Sequence, residues 1–312
     1  MGGKRVPPKG SGFEVRGSRF DKIRFTVSLE AGTKDQERTP NPEPRTMRTL
    51  IVFAALGLSL ACSSERTTTS VESPPVAVMS DAARAELAPG GRLRAALNYS
   101  NSLLVKARTP EHTGVVPDLA RELARRAGAT IEFVGYENAG LVADAAREDA
   151  WDVAFIGAEP ARAGDITFTP AYVEIEATYI VPAGSTIRTV ADVDREGVRI
   201  ATTSRAAYTL YLQRTLKHAR LVEAEGIPGA ADLFLKDHLD ALAGLKPRLL
   251  EDVTKLSGAR ILDGRFTAVQ QAIGAPKTRS EAAAYLVGFA AEIKKSGFLA
   301  SLIERHQDAA SQ

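Results

Sequence analysis

One cysteine in 312 residues leaves nothing for it to pair with, so an internal disulfide and a multi-cysteine metal site are both excluded. Histidine is nearly as scarce. His112, His218, His238 and His306 are scattered without ligand spacing, so no metal site and no other cofactor is expected. Neither sign of charge is in excess: the net charge is +2 with 25% charged residues, which removes the basic surplus that a nucleic-acid partner demands. Long apolar runs are missing too. The stretch from Leu50 to Leu60 falls short of the about 20 residues that a bilayer span requires. What remains is a chain of ordinary globular composition, 44% hydrophobic, with length enough for two lobes.

The N-terminus has two layers. Residues 1–46 are rich in Gly, Pro, Lys, Arg and Thr and carry no sustained apolar period, so they cannot nucleate a core. They are expected to be an over-called or disordered extension, with Met47 as the true start. From Met47 the order is a positive Arg48, a short apolar core and small Ala61, which reads as a secretory signal peptide over 47–61. Cys62 follows at once. "LSLAC" is similar to the bacterial lipobox, although Ser59 holds the position usual for Leu, and Ser59 with Ala61 also suits ordinary cleavage. Two readings of Cys62 therefore stand, a lipidated first residue or an unmodified one. Lipidation is favoured, with the polar residues 62–90 as a flexible tether between anchor and fold.

From Arg92 strand and helix alternate, which predicts an α/β fold with a mostly parallel sheet. "RLRAALN", "TIEFVGY" and "WDVAFIG" read as strands, the last apolar enough to be buried on both faces. "GVVPDLARELARRAG" reads as a helix with Val116, Leu119, Leu123 and Ala127 on one face and Gly128 as its stop. "AGLVADAARED" gives a further helix and "EATYIVPAGS" a further strand. A second unit repeats the alternation from "VADVDR" through "VRIAT", a helix opened by Ser204, "ARLVEAE", "GAADLFLKD", "HLDALAG" and "KPRLLEDVTKL". "ARILDGRFTAVQQAIGAPK" then runs extended, and two helices broken at Gly297 complete the fold. The strand "WDVAFIG" empties into a small-residue loop carrying Glu159 and Arg162, and a loop at such a strand end is where an open α/β sheet keeps its ligands.

Taken together, "GVVPDLARELARRAG", "WDVAFIGAEPARAGDITFTPAY", "YIVPAGSTIRTVADV", "VRIATTSRAAYTLYL" and "HLDALAG" resemble, in order and spacing, the extracellular solute-binding proteins of family 3. These are the periplasmic polar amino-acid receptors of ABC transporters. The resemblance covers about Gly91 to His306. It implies a two-lobe periplasmic-binding-protein fold of type II, with residues 91–182 and 265–306 in the first lobe, 185–260 in the second and 307–312 as a tail. Two crossover strands would act as hinges. A monomeric, periplasmic receptor is implied, delivering its solute to an ABC transporter permease and held at the membrane through the N-terminal lipid.

The same resemblance implies that Arg162 grips a ligand carboxylate. The chemistry agrees, since guanidinium is always charged and offers a planar fork that meets a carboxylate bidentately; a solvated loop arginine is the alternative. Ser204 and Arg205 fall at a helix start, suited to anions, or serve as a plain cap and a solvated first-turn residue. Tyr99, with Asn98 and Asn101 after the first strand, either faces the ligand or merely packs. Glu159 either receives a cationic group or stays solvated. The departure lies in "LDALAGLKPR": Leu245 and Lys246 stand where amino-acid receptors carry the acid that holds the ammonium. Either Glu159 takes that role from the opposite lobe or the ligand is an organic anion with no amine, which Arg162, Arg205 and Lys246 would favour if all faced the cleft. A non-enzymatic receptor is expected. The rival readings are a cyclohexadienyl dehydratase-like enzyme on the same fold and a stand-alone solute sensor. A fused kinase or transglycosylase is not expected, because the chain ends soon after the last helix.

Overall fold

The computed structural model describes residues 78–108 and 111–308. The signal peptide, Cys62 and most of the expected tether lie outside the described residues. The tether is shorter than expected from sequence, because Asp81–Leu87 forms a helix, α1. Ser80 caps it, accepting a hydrogen bond from the Ala83 amide at 3.0 Å, and Ala83 and Leu87 are buried.

Strand β1 (Arg92–Asn98) leads through a loop to helix α2 (Val115–Ala127), which stops at left-handed Gly128. Strand β2 (Thr130–Tyr136), helix α3 (Ala139–Ala145) and strand β3 (Val153–Gly157) follow. A single 3-10 turn, Pro160–Arg162, comes next. The three-residue β4 (Ile166–Phe168) and the long β5 (Val173–Val181) complete this stretch. The second unit holds β6 (Arg199–Thr203), α4 (Ala207–Thr215), β7 (Arg220–Ala224), α5 (Gly226–Lys236), β8 (Ala241–Leu245) and α6 (Lys246–Val253). Short β9 (Arg260–Ile261) precedes β10 (Thr267–Pro276), after which α7 (Ser280–Lys295) and α8 (Phe298–Asp308) close the fold.

The strand order is β2-β1-β3-β10-β5-β8-β6-β7. Each half of the sheet has three parallel strands and one antiparallel neighbour: β2-β1-β3 beside β10, and β7-β6-β8 beside β5. The halves meet where β5 and β10 pair antiparallel, from Val173↔Gln271 to Ala177↔Thr267. These two crossover strands join the two lobes, as expected from sequence. Helices cover both faces of each half-sheet, and the central strands β3 and β8 are buried along their whole length. In the first lobe α1, α2, α7 and α8 share one core, while Val142 of α3 packs with Trp151 and Ile156 on the other side. Trp151 is fully buried and its indole N–H donates to the Val142 carbonyl at 2.9 Å; truncating such a side chain costs about 3–5 kcal/mol. Beside it Asp152, also fully buried, accepts the Arg94 amide at 2.7 Å and the guanidinium groups of Arg94 and Arg279. Among the described residues no helix is long and apolar enough to cross a membrane.

Candidate functional site

Parallel strands send their following loops to the same sheet edge, so the C-terminal ends of β1, β3, β6, β7 and β8 converge on the gap between the lobes. A cavity of about 40 Å³ lies there, room for about three water molecules by the volume their centres occupy. The first lobe contributes Asn98, Ser100, Asn101, Ala139, Gly157 and Arg162. The second contributes Thr203, the start of α4 with Tyr208, Ile227 and Leu245, and the crossover strand β10 adds Val269 and Gln271.

Arg162 owes its place to the turn after β3. Pro160 opens the turn and the Arg162 amide donates to the Glu159 carbonyl at 2.9 Å, which swings the side chain back over the strand end. The residue is buried at 4% exposure. One terminal nitrogen donates to the Gly157 carbonyl at 2.6 Å, the other to the Arg205 carbonyl at 3.0 Å. The guanidinium thus bridges the two lobes and keeps three of its five N–H donors beyond those bonds. Burial pulls its pKa down to about 10, with the nearby charge of Glu159 opposing that fall, so it stays cationic at neutral pH.

The other expected residues separate into two groups. Asn98 and Asn101 line the cavity. Asn98 Oδ1 accepts the Ser100 hydroxyl at 2.8 Å, whereas the buried Asn101 Oδ1 has no partner among the described residues. Tyr99 does not line it. It continues β1, donating its amide to Tyr136, and its ring lies over Gly135, where any Cβ would collide with it. Arg108 stacks on that ring at 4.7 Å.

Four expected residues do not line the cavity, and each is engaged within the protein. Glu159 is bound to Arg214 of α4 at 2.6 Å. Arg205 is bound to Asp144 of α3 at 2.8 Å and to the Gly140 carbonyl. Lys246 pairs with Glu176 of β5 at 3.1 Å, a carboxylate that Arg265 also approaches. Ser204 does not open α4: the helix starts after Ala206, while the Ser204 amide is used by the Ala224 carbonyl at 2.8 Å. Arg205 is left-handed, with φ 57°, a conformation that delays the helix. The side chains that sequence reasoning passed over are Thr203, Tyr208 and Gln271. Gln271, 4% exposed, follows Gln270 in β10, and nothing in the sequence singled it out. Burial pushes the Tyr208 hydroxyl up to about 12, so it remains a neutral donor.

Among the described residues, Arg162 is the one charged side chain on the cavity wall, and no carboxylate joins it. Two lobes joined by paired crossover strands, with a small cavity between them, define a solute-binding protein of type II periplasmic architecture. The chain belongs to the bacterial extracellular solute-binding proteins, family 3, whose sequence profile matches residues 98–309. Solved structures with this fold include a mutant of ArgBP from T. maritima, 21% identical, covering 72% of this chain and 98% of that one with a TM-score of 0.60. An ancestral amino acid-binding protein, AncCDT-1, described as a precursor of cyclohexadienyl dehydratase, is 19% identical, covering 69% and 94% with a TM-score of 0.59. The amino acid ABC transporter substrate-binding protein AbpA of Streptococcus pneumoniae, bound to L-arginine, gives the same identity, coverages and TM-score. At these identities the likeness is one of fold. A search of curated protein sequences finds no match.

Proposed function

We propose that the protein is the solute-capturing receptor of an ABC importer, closing its lobes on a small carboxylate-bearing solute outside the cytoplasmic membrane. In this reading it acts as a monomer tethered through a lipid on Cys62 and hands its solute to a membrane permease. The observation that carries it is Arg162. A buried guanidinium at a strand end, with donors to spare, is a costly arrangement unless an anion completes it. The first turn of α4 adds N–H groups that lack intrahelical acceptors beside the same cavity. The dehydratase reading has less support. The cavity wall offers no histidine, lysine or carboxylate to move a proton, and Tyr208 and Arg162 hold theirs at neutral pH.

A thermal-shift screen of amino acids, amines and carboxylates tests the reading. A carboxylate at 100 times its dissociation constant should stabilise the wild type by about 2.7 kcal/mol. Arg162→Met should abolish that response and yet leave the unliganded fold as stable or more so, because it removes an uncompensated buried charge. A carboxylate response that persists undiminished in Arg162→Met would remove the proposal.

A further inference from the structure

We infer that the solute is a monoanionic carboxylate bearing a neutral hydrogen-bond donor, of which a small 2-hydroxy acid is the simplest form, and not an amino acid. The inference rests on the carboxylate reading above and narrows it. Charge balance is the first argument. The cavity wall carries the single positive charge of Arg162 and no negative one. A monoanion neutralises it. A zwitterion spends its carboxylate on Arg162 and leaves its ammonium buried without a counter-ion, while a dianion leaves one carboxylate over.

The acids near the cleft are each already paired with a cation of the protein, and none of them lines the cavity. Glu159 is bound to Arg214 at 2.6 Å, Asp144 to Arg205 at 2.8 Å, and Glu176 to Lys246 at 3.1 Å and Arg265 at 3.3 Å. Recruiting any of them for an ammonium would draw on an ion pair that joins the lobes or braces the hinge strand β5. Leu245, at the end of β8, presents an apolar surface to the cavity instead.

The second argument is the unsatisfied acceptor. Asn101 lines the cavity at 8% exposure, and its Oδ1 is buried without a partner among the described residues. An orphaned acceptor of this kind is costly to maintain, and a donor on the solute that reached it as the lobes adjust would relieve that cost. A hydroxyl or neutral amide N–H does so without adding charge.

Four probes of nearly equal size separate the possibilities: propionate, lactate, alanine and malonate, titrated calorimetrically against the wild type, Asn101→Leu and Arg162→Met. Lactate should bind best, with propionate weaker by about tenfold for the missing donor. Alanine and malonate should be weaker by about a hundredfold or more. Asn101→Leu should bring lactate down to the level of propionate, and Arg162→Met should abolish both. Alanine binding as tightly as lactate would overturn the inference while leaving the carboxylate reading intact. The same holds if only larger carboxylates bind and Arg162→Met abolishes that binding. No response to any carboxylate, small or large, would discard both.

Discussion

Arg205, in the loop before α4, reaches across the cleft to Asp144 on α3, guanidinium to carboxylate at 2.8 Å, with Gly140 beneath it. Gly140 is required there, since a Cβ at that position would stand 2.3 Å from Arg205 Nε. Arg214–Glu159, the Arg162 bond to the Arg205 carbonyl and the Arg205 bond to the Gly140 carbonyl also link the lobes.

The Arg205–Asp144 pair is half-exposed, with side-chain exposures of 41% and 55%. Such pairs are worth about 0.2–1 kcal/mol and weaken with salt. Arg205→Ala and Asp144→Ala should therefore each leave the melting temperature nearly unchanged while enlarging the radius of gyration of the unliganded protein in low salt. Raising the salt should bring the wild type toward the variants. Scattering profiles that do not differ between wild type and variants at low salt would show that the pair does not hold the cleft shut.

Gly157 ends β3 against the other lobe. A Cβ there would lie 2.7 Å from Ala207 Cβ and 2.9 Å from Val269 Cγ1, neither on a side chain long enough to swing away. Gly157→Ala is expected to hold the lobes apart. It should lower the affinity for whatever carboxylate stabilises the wild type, with a more expanded scattering profile and a retained cooperative melt. Unchanged affinity would mean that the lobes meet in some other way when the solute is bound.

Acid sensitivity has a local source on α2. Hydrogen bonds from Arg125, and then from Arg126, hold the Glu122 carboxyl down at about 2 from an ordinary 4.5. A depressed carboxyl pKa stabilises the fold above the ordinary value, and that contribution is lost as pH falls from 4.5 through about 2. After solvent screening it amounts to about 1–2 kcal/mol. Melting curves of Glu122→Gln and wild type should differ at pH 6 and converge near pH 2; parallel curves over that range would contradict the assignment.

The sequence showed the large elements because their signals are local. β3 is an unbroken apolar run, and α2 carries its buried face at helical spacing with a glycine stop. Helix α1 and strand β4 were hidden for the same reason in reverse. DAARAEL is short and buries only Ala83 and Leu87, and three residues are too few for an alternating pattern to register. That Asn98, Asn101 and Arg162 lie at the cavity was legible from the strands, since Asn98 ends β1, Asn101 is in the loop after it and Arg162 is in the turn after β3. Glu159, Arg205 and Lys246 looked like ligand groups only because their partners are remote in the chain. Asp144 precedes Arg205 by 61 residues and Glu176 precedes Lys246 by 70. Ser204 had the composition of a helix cap, but Arg205 after it is left-handed and the helix starts only beyond Ala206.

Helix α1 docks on α7, and α8 docks on α2 and α7. The first and last described helices therefore belong to the same half of the molecule. The other half is an excursion of the chain, leaving along β5 and returning along β10. It can swing without dragging either end of the described chain with it. The first lobe is thus the stationary jaw, and opening and shutting fall to the inserted one.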